Sequence, residues 1–400
     1  MSPAPENAGH REHDIVVYGA TGYTGRLVAE YLAANYAGKP GAPKWAMAGR
    51  SAAKLAEVRD LIGAPATTPL IVADASDPAS LTAMCASTRV VLTTVGPYQL
   101  YGSELVEACA RTGTDYADLC GEPGWMHEMI AAHDSAAKAS GARIAFSAGF
   151  DSIPFDLGVL MLEKAATARY GSPAPRVKCR VRGMKGTFSG GTAASLTETM
   201  KAVARNPSLI KVLGDPFALT PGFEGPSQPK GLLPEYDDSV GKWAAPFIMA
   251  TINTKNVHRT NFLLGHPYGA DFRYDEMMLT SAGELGEKAA HAVGEALKNP
   301  FGLKPPKPGE GPSPEERANG SYDVLFIGEY PDGRSIRYGV KGRYDPGYGS
   351  TSRMLAETGI ALLASESAGG IGTPGSILGE ALVTRLRDHA EITFEVEEAA

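Results

Sequence analysis

The sequence predicts an α/β fold, in which a doubly wound parallel sheet is followed by a second, α+β part built on a mainly antiparallel sheet. Strand-like apolar runs alternate with helical patterns up to about residue 150, as in a parallel sheet whose strands are joined by helices. After Phe150 this alternation ends, and strand-like runs separated by long loops follow. Helical patterns return at 350–365 and at about 376–388, which indicates that the chain goes back to the first part.

The 400 residues are too many for one simple core and suit two domains. We predict a disordered tail over 1–12 and a first domain over 13–152, completed by the returning helices at about 348–390. The second domain, predicted over 153–347, would serve substrate binding or dimerisation, so a homodimer is compatible with this organisation.

Composition argues against several classes of protein. Hydrophobic residues make up 43% and charged residues 21%, as in ordinary globular proteins, and the net charge of −7 argues against nucleic-acid binding. The four cysteines form no C-x-x-C pair and the eight histidines show no metal-ligand spacing. We therefore predict no disulfide framework, no metal site and a reducing, cytoplasmic location. We expect neither a signal peptide nor a membrane span, while contact with a membrane surface stays open.

The first part is predicted to alternate six strands with helices. The strands are expected at 14–20, 44–50, 69–77, 89–98, 115–122 and 142–150, and the helices at 25–36, 51–62, 102–113 and 123–141. Ser51 is typical of a helix N-cap, and Gly113 of the residue that follows a helix.

The second part begins with a predicted helix at 156–171. Strand-like runs follow at 176–186, 246–258, 270–280, 321–330 and 334–344, and the last two flank the turn sequence Pro-Asp-Gly at 331–333. Loops at about 206–242 and 299–320 are long for a compact domain, which is typical of lids and binding loops.

Three glycines between the first strand and the first helix predict a dinucleotide site. Gly19 allows a tight turn, Gly22 lets a pyrophosphate approach the backbone, and Gly25 allows the helix to pack closely on the sheet. The helix N-terminus that follows offers free N–H groups to the phosphates.

The end of the second strand indicates which dinucleotide binds. An NAD site usually has an acidic residue there, whereas this chain has Arg50, with Ser51 beside it and Lys54 one turn on. A guanidinium can stack on adenine and pair with a 2′-phosphate, so we predict NADP(H). For Asp74, after the third strand, contact with the adenine edge and a helix-capping role remain equal alternatives.

The fourth strand ends in TTVGPYQLYG, at the edge where ligands bind in this fold. Gly96 and Pro97 would close over the nicotinamide ribose. Tyr98 and Tyr101 are candidate proton donors, although tyrosines at such positions commonly pack, and a water could serve instead.

Several motifs together resemble the saccharopine dehydrogenase-like oxidoreductases, and most of all the mycobacterial-type trans-acting enoyl reductase branch. They include YGATGYTGRLVAEYL, TTVGPYQLYG, YADLCGE, AGFDSIPFDLG and GYGSTSRMLAETGIAL, and the resemblance covers about residues 13–390. It implies a Rossmann domain with a mixed-sheet domain inserted after GFDSIP. Thr21, Tyr23 and Thr24 join the three glycines in the implied cofactor turn, and Gly96, Pro97 and Tyr98 form the implied nicotinamide loop.

The enoyl reductase branch implies NADPH-dependent saturation of a carbon–carbon double bond made by a polyketide synthase that lacks its own working enoyl reductase domain. The acceptor would be a small-molecule or carrier-bound acyl group. Two other functions stay open: a saccharopine dehydrogenase-type imine or amino-acid oxidoreductase, and a non-catalytic NADPH-binding protein. The first would need an arginine-rich pocket, and 206–300 holds few arginines.

Four further features have competing interpretations. Asp151 either orients a catalytic water or caps the helix before Pro154. The stretch 189–195 either opens a helix towards the cofactor or forms a flexible turn. The basic residues of strand 176–186 either meet an acidic carrier protein or line the solvated face of a sheet, and the latter is favoured. His258 and His266 are expected to be structural.

Overall fold

The structure is a computed structural model that describes residues 11–186, 190–298 and 310–398. Two seven-stranded sheets organise these residues. The first is fully parallel, with the order β13-β6-β5-β4-β1-β2-β3. Its strands are β1 (His13–Tyr18), β2 (Trp45–Gly49), β3 (Leu70–Val72), β4 (Thr88–Thr93), β5 (Asp115–Ala117), β6 (Arg143–Ala145) and β13 (Gly370–Gly372).

Helices cover both faces of this sheet. They are α1 (Tyr23–Tyr36), α2 (Ala52–Leu61), α3 (Pro78–Ser87), α4 (Tyr98–Tyr101), α5 (Ser103–Thr112), α6 (Pro123–Ser140) and α13 (Thr351–Ala364). Along β1, Ile15 and Val17 join one apolar layer and Val16 and Tyr18 join the other. Strands of a parallel sheet that is buried on both faces have continuous apolar sequences, and the sequence shows such runs.

The order of the strands in the first sheet indicates where a ligand would bind. Strand β1 pairs with β2 on one side and β4 on the other, so the strand order reverses between β1 and β4. Ligands bind at such a reversal, beyond the carboxyl ends of the strands. The glycine turn at 19–25 and the loop at 94–98 both leave the sheet at this edge.

The second sheet has the order β14-β12-β11-β7-β10-β9-β8. Its pairs are antiparallel apart from β7 with β10, so the prediction of a mainly antiparallel sheet is confirmed. The strands are β7 (Arg176–Lys185), β8 (Glu235–Asp237), β9 (Lys242–Pro246), β10 (Arg273–Leu279), β11 (Ser321–Glu329), β12 (Ser335–Arg343) and β14 (Ile392–Glu397). The remaining helices are α7 (Ile153–Tyr170), α8 (Gly190–Arg205), α9 (Leu209–Gly214), α10 (Ala250–Leu263), α11 (Gly283–Lys298), α12 (Pro314–Ala318), α14 (Pro374–Ile377) and α15 (Gly379–His389).

Several elements differ from the sequence prediction. The run 246–258 was expected to be a strand, but β9 ends at Pro246 and most of the run is helix α10. Strands β13 and β14 and helices α3 and α11 were not predicted, and the expected loop 206–242 contains α9 and β8. Residues 1–10, 187–189 and 299–309 lie outside the described ranges. Arg11, at the end of the predicted tail, is anchored by its bonds to the carbonyls of Cys85, Thr88 and Thr112.

Candidate functional site

The glycine turn has the geometry that its spacing predicts. Gly19 has a φ of +88°, a left-handed conformation that favours glycine, and its carbonyl accepts a bond from the Gly22 N–H at 2.9 Å. A Cβ on Gly25 would lie 2.1 Å from the Gly19 oxygen, so this residue must be glycine for α1 to start here. A Cβ on Gly22 would meet only that same oxygen, at 3.3 Å, so the outer side of Gly22 is open.

The first turn of α1 can receive an anion. Gly22 is the N-cap, no side chain among the described residues caps the turn, and its first turn carries no acidic residue. Thr21 is exposed and Thr24 is half-buried beside it. Free N–H groups and the positive end of the helix dipole therefore face the open side of Gly22, which fits a pyrophosphate.

Arg50 extends from the end of β2 and is exposed, as is Lys54. Ser51 caps α2 by accepting a bond from the Lys54 N–H at 3.3 Å, as predicted. Burial raises the pKa of Tyr18 to about 12, and the charges of Asp74 and Arg50 also act on it, which places all three side chains together. Among the described residues neither Arg50 nor Lys54 forms an ion pair with a carboxylate, so both can pair with a 2′-phosphate.

Asp74 does not cap a helix, so that alternative is wrong. Asp77 is the N-cap of α3, and its carboxylate accepts bonds from the N–H groups of Ala79 and Ser80. The Asp74 carboxylate instead accepts bonds from the N–H and hydroxyl of Ser76, which lower its pKa. Asp74 is half-buried, and the charge of Arg50 also lowers its pKa, while its contact with the adenine remains a prediction.

The nicotinamide loop predicted at 96–98 lies at the end of β4 and continues into α4. Gly96 is exposed and Pro97 is the N-cap of α4. Tyr98 is buried, and its hydroxyl accepts the Leu119 N–H at 3.0 Å and donates to the Thr93 carbonyl at 3.3 Å. Burial and the nearby Asp118 raise the pKa of Tyr98 well above its usual value. Tyr101 is 46% exposed, so the two candidate donors occupy opposite environments.

We expect Tyr98→Phe to lower the free energy of unfolding by about 1–3 kcal/mol, because it leaves the Leu119 N–H without its partner. Tyr101→Phe, at an exposed position, should leave stability unchanged. Urea denaturation of the two variants measures the difference. Equal stability of Tyr98→Phe and the wild type would mean that the Tyr98 hydroxyl does not hold this loop.

Glu122 organises the same loop and was not singled out by the sequence. It is buried, and its carboxylate accepts the N–H groups of Tyr98 and Gln99, each at 2.9 Å. The hydroxyl of Ser195 on α8 donates to it at 2.6 Å. Glu122 therefore fixes the start of α4 and ties it to α8, whose described part begins at Gly190. Ser189, part of the stretch 189–195, lies outside the described residues.

Tyr23 connects the glycine turn to the second part of the chain. Its hydroxyl donates to the Pro312 carbonyl and accepts a bond from Arg317 at 2.6 Å. Its ring lies edge-on to Tyr348 at 4.8 Å between centroids. The described end of the long loop predicted at 299–320 thus packs against the turn.

The basic stripe on β7 is not a solvated face, so the favoured interpretation is wrong. Arg180 is fully buried and pairs with Asp237 and Asp275 at 2.6 and 2.8 Å. Arg176 pairs with Asp275, Lys178 with Asp237 and Glu329, and Arg182 with Asp323 and Glu397. These cations already pair with carboxylates of the same chain. Little positive charge on this strand therefore remains to bind an acidic carrier protein.

The two histidines lie among aromatic rings, in agreement with a structural role. His258 is buried against Phe217, with 4.5 Å between ring centroids, and burial lowers its pKa to about 3. His266 packs on Phe223 at 4.3 Å. Across the described residues, no three His, Cys, Asp or Glu side chains form a group that could hold a metal ion. In the same ranges, no helix is long and apolar enough to span a membrane.

Asp151 does not cap α7, so the capping interpretation of this residue is wrong. The N-cap is Ser152, and no side chain accepts a bond there. Asp151 Oδ1 is buried and has no hydrogen-bond partner among the described residues. Burial raises the pKa of Asp151 to about 7.

Comparisons with known proteins agree with this geometry. A family model for the NADP-binding domain of saccharopine dehydrogenase matches residues 15–144. A Mycobacterium tuberculosis protein named as a trans-acting enoyl reductase is 40% identical and covers 94% of this chain and 96% of its own length. A trans-acting enoyl reductase of Mycobacterium leprae is 36% identical, with 94% of this chain and 96% of that protein covered.

A solved structure shows the same fold. Saccharopine dehydrogenase (L-Glu forming) from Saccharomyces cerevisiae matches 97% of this chain and 100% of its own with a TM-score of 0.56, at 12% identity. The sequence relatives extend over both sheets, and the family model covers the glycine turn and the end of β2. The chain therefore belongs to the saccharopine dehydrogenase-like oxidoreductases, together with the relatives named trans-acting enoyl reductase, and it is an NADP-dependent oxidoreductase.

Proposed function

We propose that this protein is a trans-acting enoyl reductase that uses NADPH to saturate a carbon–carbon double bond in a polyketide or lipid acyl thioester. The observation that carries the proposal is the identity of 36–40% to relatives named for this activity, along nearly the full length of both chains. Retention of both sheets matters, because Ser195 of α8, in the second part of the chain, bonds to Glu122 beside the predicted nicotinamide loop.

The geometry of the turn and of the strand ends supports the cofactor site that we propose. Gly19, Gly22 and Gly25 admit the pyrophosphate to the α1 N-terminus, with Thr21, Tyr23 and Thr24 around it. Arg50, Ser51 and Lys54 hold the 2′-phosphate, and Asp74 borders the adenine. Gly96, Pro97 and Tyr98 line the nicotinamide side, where Tyr98 acts as a positioning residue. The bound cofactor supplies a hydride to the β-carbon of the acceptor.

The buried cations of the second part argue against a substrate with several carboxylates. Arg259 donates to the carbonyls of Leu219 and Ile371, and Lys255 donates to the carbonyl of Leu213 at 2.8 Å. Arg273 is exposed. The arginines of 206–300 thus either donate hydrogen bonds to backbone carbonyls or lie at the surface. An amino-acid adduct would instead need arginines that line a pocket and bind its carboxylates.

The test is NADPH oxidation with a panel of α,β-unsaturated acyl thioesters beside saccharopine and its precursors. We expect turnover with the thioesters and a saturated product, because the relatives that span the chain are named for that reaction. Absorbance of NADPH and mass spectrometry of the product measure it. Turnover only with the amino-acid substrates would overturn the proposal, and NADPH binding without turnover of any acceptor would favour a non-catalytic protein.

A further inference from the structure

A polar cluster lies where α10 meets the start of α7 and strand β10. We call it the α10 cluster and define it as Asp151, Ser152, Asn253, Asn256, Tyr274 and Glu276. Asn256 donates to the Ser152 hydroxyl at 2.8 Å, and Asn253, one turn earlier on the same helix face, donates to Glu276 at 2.9 Å. The Tyr274 hydroxyl donates to the other oxygen of Glu276 at 2.8 Å.

Three oxygens of this cluster lack hydrogen-bond donors. Oδ1 of Asp151, Asn253 and Asn256 are all buried and have no partner among the described residues. Both asparagines are 0% exposed, and such groups in a finished core are almost always paired. Three orphaned acceptors in one place therefore indicate a site for a donor-bearing group, or for a proton shared among them, rather than a packed core.

The cluster also holds two carboxyl groups without a cation. Among the described residues, neither Asp151 nor Glu276 forms an ion pair, although the structure elsewhere pairs even half-buried carboxylates. Two buried carboxylates cannot both carry charge at low cost, so at least one retains its proton near neutral pH. Burial raises the pKa of both residues, and the charge of Asp151 raises that of Glu276 further.

The cluster lies at the same edge of the first sheet as the nicotinamide loop. Asp118, at the end of β5, accepts the Ser147 N–H at 2.8 Å and so holds the ends of β5 and β6 together. A Cβ on Gly149 would lie only 2.8 Å from the Leu119 side chain. Leu119 in turn donates its N–H to Tyr98. Asp151 follows two residues after Gly149 and is partly exposed, so the segment that carries it leaves the sheet at this same edge.

We propose that Asp151 is the acid that delivers the proton to the α-carbon of the reduced acceptor, with Glu276 and the two α10 amides holding that proton between turnovers. This inference rests on the proposed enoyl reduction and supplies the proton that Tyr98, with its hydroxyl engaged on both sides, is poorly placed to give.

The proton balance of the step is complete. Hydride addition at the β-carbon converts the double bond of the thioester into an enolate. The O–H bond of the Asp151 carboxylic acid breaks, its proton forms the new C–H bond at the α-carbon, and Asp151 is left as a carboxylate. Water returns one proton to the cluster in each cycle. The charge of Asp151 acts on Glu276 from β10. Of its chain neighbours, Ser152 accepts a bond from the uncharged Asn256 amide of α10, and Phe150 donates its N–H to Thr351 of α13.

The test compares Asp151→Asn and Asp151→Glu with Glu163→Gln. Glu163 is a suitable control because it is another buried carboxyl without an ion-pair partner in the described chain, it accepts the Ala174 N–H at 2.7 Å, and it lies outside the α10 cluster. The infrared difference spectrum of the cofactor-free wild type minus Asp151→Asn should contain a carboxylic acid band that titrates near neutral pH. The buried carboxyl of Asp118, whose pKa burial also raises to about 7, cancels in this difference. The band should persist in Glu163→Gln and Asp151→Glu.

Steady-state kinetics with an enoyl thioester provide the second readout. We expect kcat of Asp151→Asn to fall at least 100-fold with KM and NADPH affinity within about threefold, because an acid of this kind contributes roughly 10²–10⁴ to the rate. Wild-type kcat should fall as the pH rises through the titration of Asp151, since the acid form reacts, and this dependence should disappear in Asp151→Asn and persist in Asp151→Glu.

The outcomes separate the two proposals. If the wild type reduces the thioester but Asp151→Asn keeps its rate and pH profile, or the difference spectrum holds no carboxylic acid band, the inference about Asp151 is overturned and the enoyl reductase stands. If the wild type reduces no enoyl thioester, the proposed function fails and the inference falls with it. Should Asp151→Asn not fold, a pH profile of kcat in Asp151→Glu that is shifted from that of Glu163→Gln supports the inference, and identical profiles of the two variants overturn it.

Discussion

Replacing Arg50 by alanine is expected to remove the preference for NADPH over NADH. The exposed guanidinium at the end of β2 has no carboxylate partner among the described ion pairs, so it is free to bind a 2′-phosphate. Charge-assisted hydrogen bonds of this kind contribute about 2 kcal/mol, which corresponds to roughly 30-fold in Kd. NADH has no 2′-phosphate, and its Kd should change little.

Fluorescence titration with both cofactors measures this effect. Lys54→Ala should weaken NADPH binding less than Arg50→Ala, because an ammonium makes no bidentate contact. Arg111→Ala is the matched control, since Arg111 is a surface arginine on α5 that pairs with Glu107 at 2.8 Å. Equal affinity of the wild type for NADPH and NADH, or an unchanged ratio in Arg50→Ala, would contradict the phosphate assignment.

Alanine at Gly25 should lower the stability of the protein, whereas alanine at Gly22 should lower its affinity for NADPH. The two residues are only three positions apart in one turn. The Cβ of Gly25→Ala would lie 2.1 Å from the Gly19 oxygen and 2.7 Å from Thr94 Oγ1. The turn or α1 must shift to admit it, and overpacking of this kind costs about 3 kcal/mol in the free energy of unfolding. We therefore expect Gly25→Ala to destabilise the cofactor-free protein.

Gly22→Ala should instead leave the cofactor-free protein nearly as stable as the wild type. Its φ of −78° suits any residue, and the Cβ meets one oxygen at 3.3 Å, a contact that a small displacement relieves. The methyl group would, however, occupy the open side where the pyrophosphate reaches the backbone. NADPH affinity should fall at least tenfold, by about 1.4 kcal/mol or more.

Thermal unfolding without cofactor and NADPH titration distinguish the two glycine effects. Gly124→Ala is the control, because its Cβ would make only an ordinary contact, at 3.6 Å from Leu209, within helix α6. It should be neutral or slightly stabilising. Full NADPH affinity in Gly22→Ala would show that the pyrophosphate does not approach this residue.

The parts of the fold and site that sequence predicts well depend on neighbours close along the chain. The roles of Gly19 and Gly25 follow from one strand, one turn and one helix, and Ser51 caps a helix that begins at the next residue. Continuous apolar runs such as β1 likewise identify buried parallel strands. These signals are local, so the first part of the fold and the geometry of its glycine turn could be predicted.

Features that depend on distant partners could not be predicted in this way. Glu122 acts on the N–H of Tyr98, 24 residues earlier. Helix α10 was taken for a strand because it contains apolar and β-branched residues, whereas its polar residues are buried with partners such as Ser152. Arg180 belongs to a stripe that resembles a solvated face, and only its two distant carboxylates explain why it is fully buried.

The late strands β13 and β14 have a consequence for the synthesis of the protein. The first sheet has no β13 until residues 370–372 have left the ribosome, and the second has no β14 until residues 392–397 have followed. Until then Arg143 of β6 and Gly342 of β12 lack the neighbouring strands that complete their pairing. Unpaired edges of this kind promote association between nascent chains. Both sheets are therefore completed only after residues 370–372 and 392–397 have been synthesised, and neither can be produced whole from a contiguous fragment that ends at residue 347.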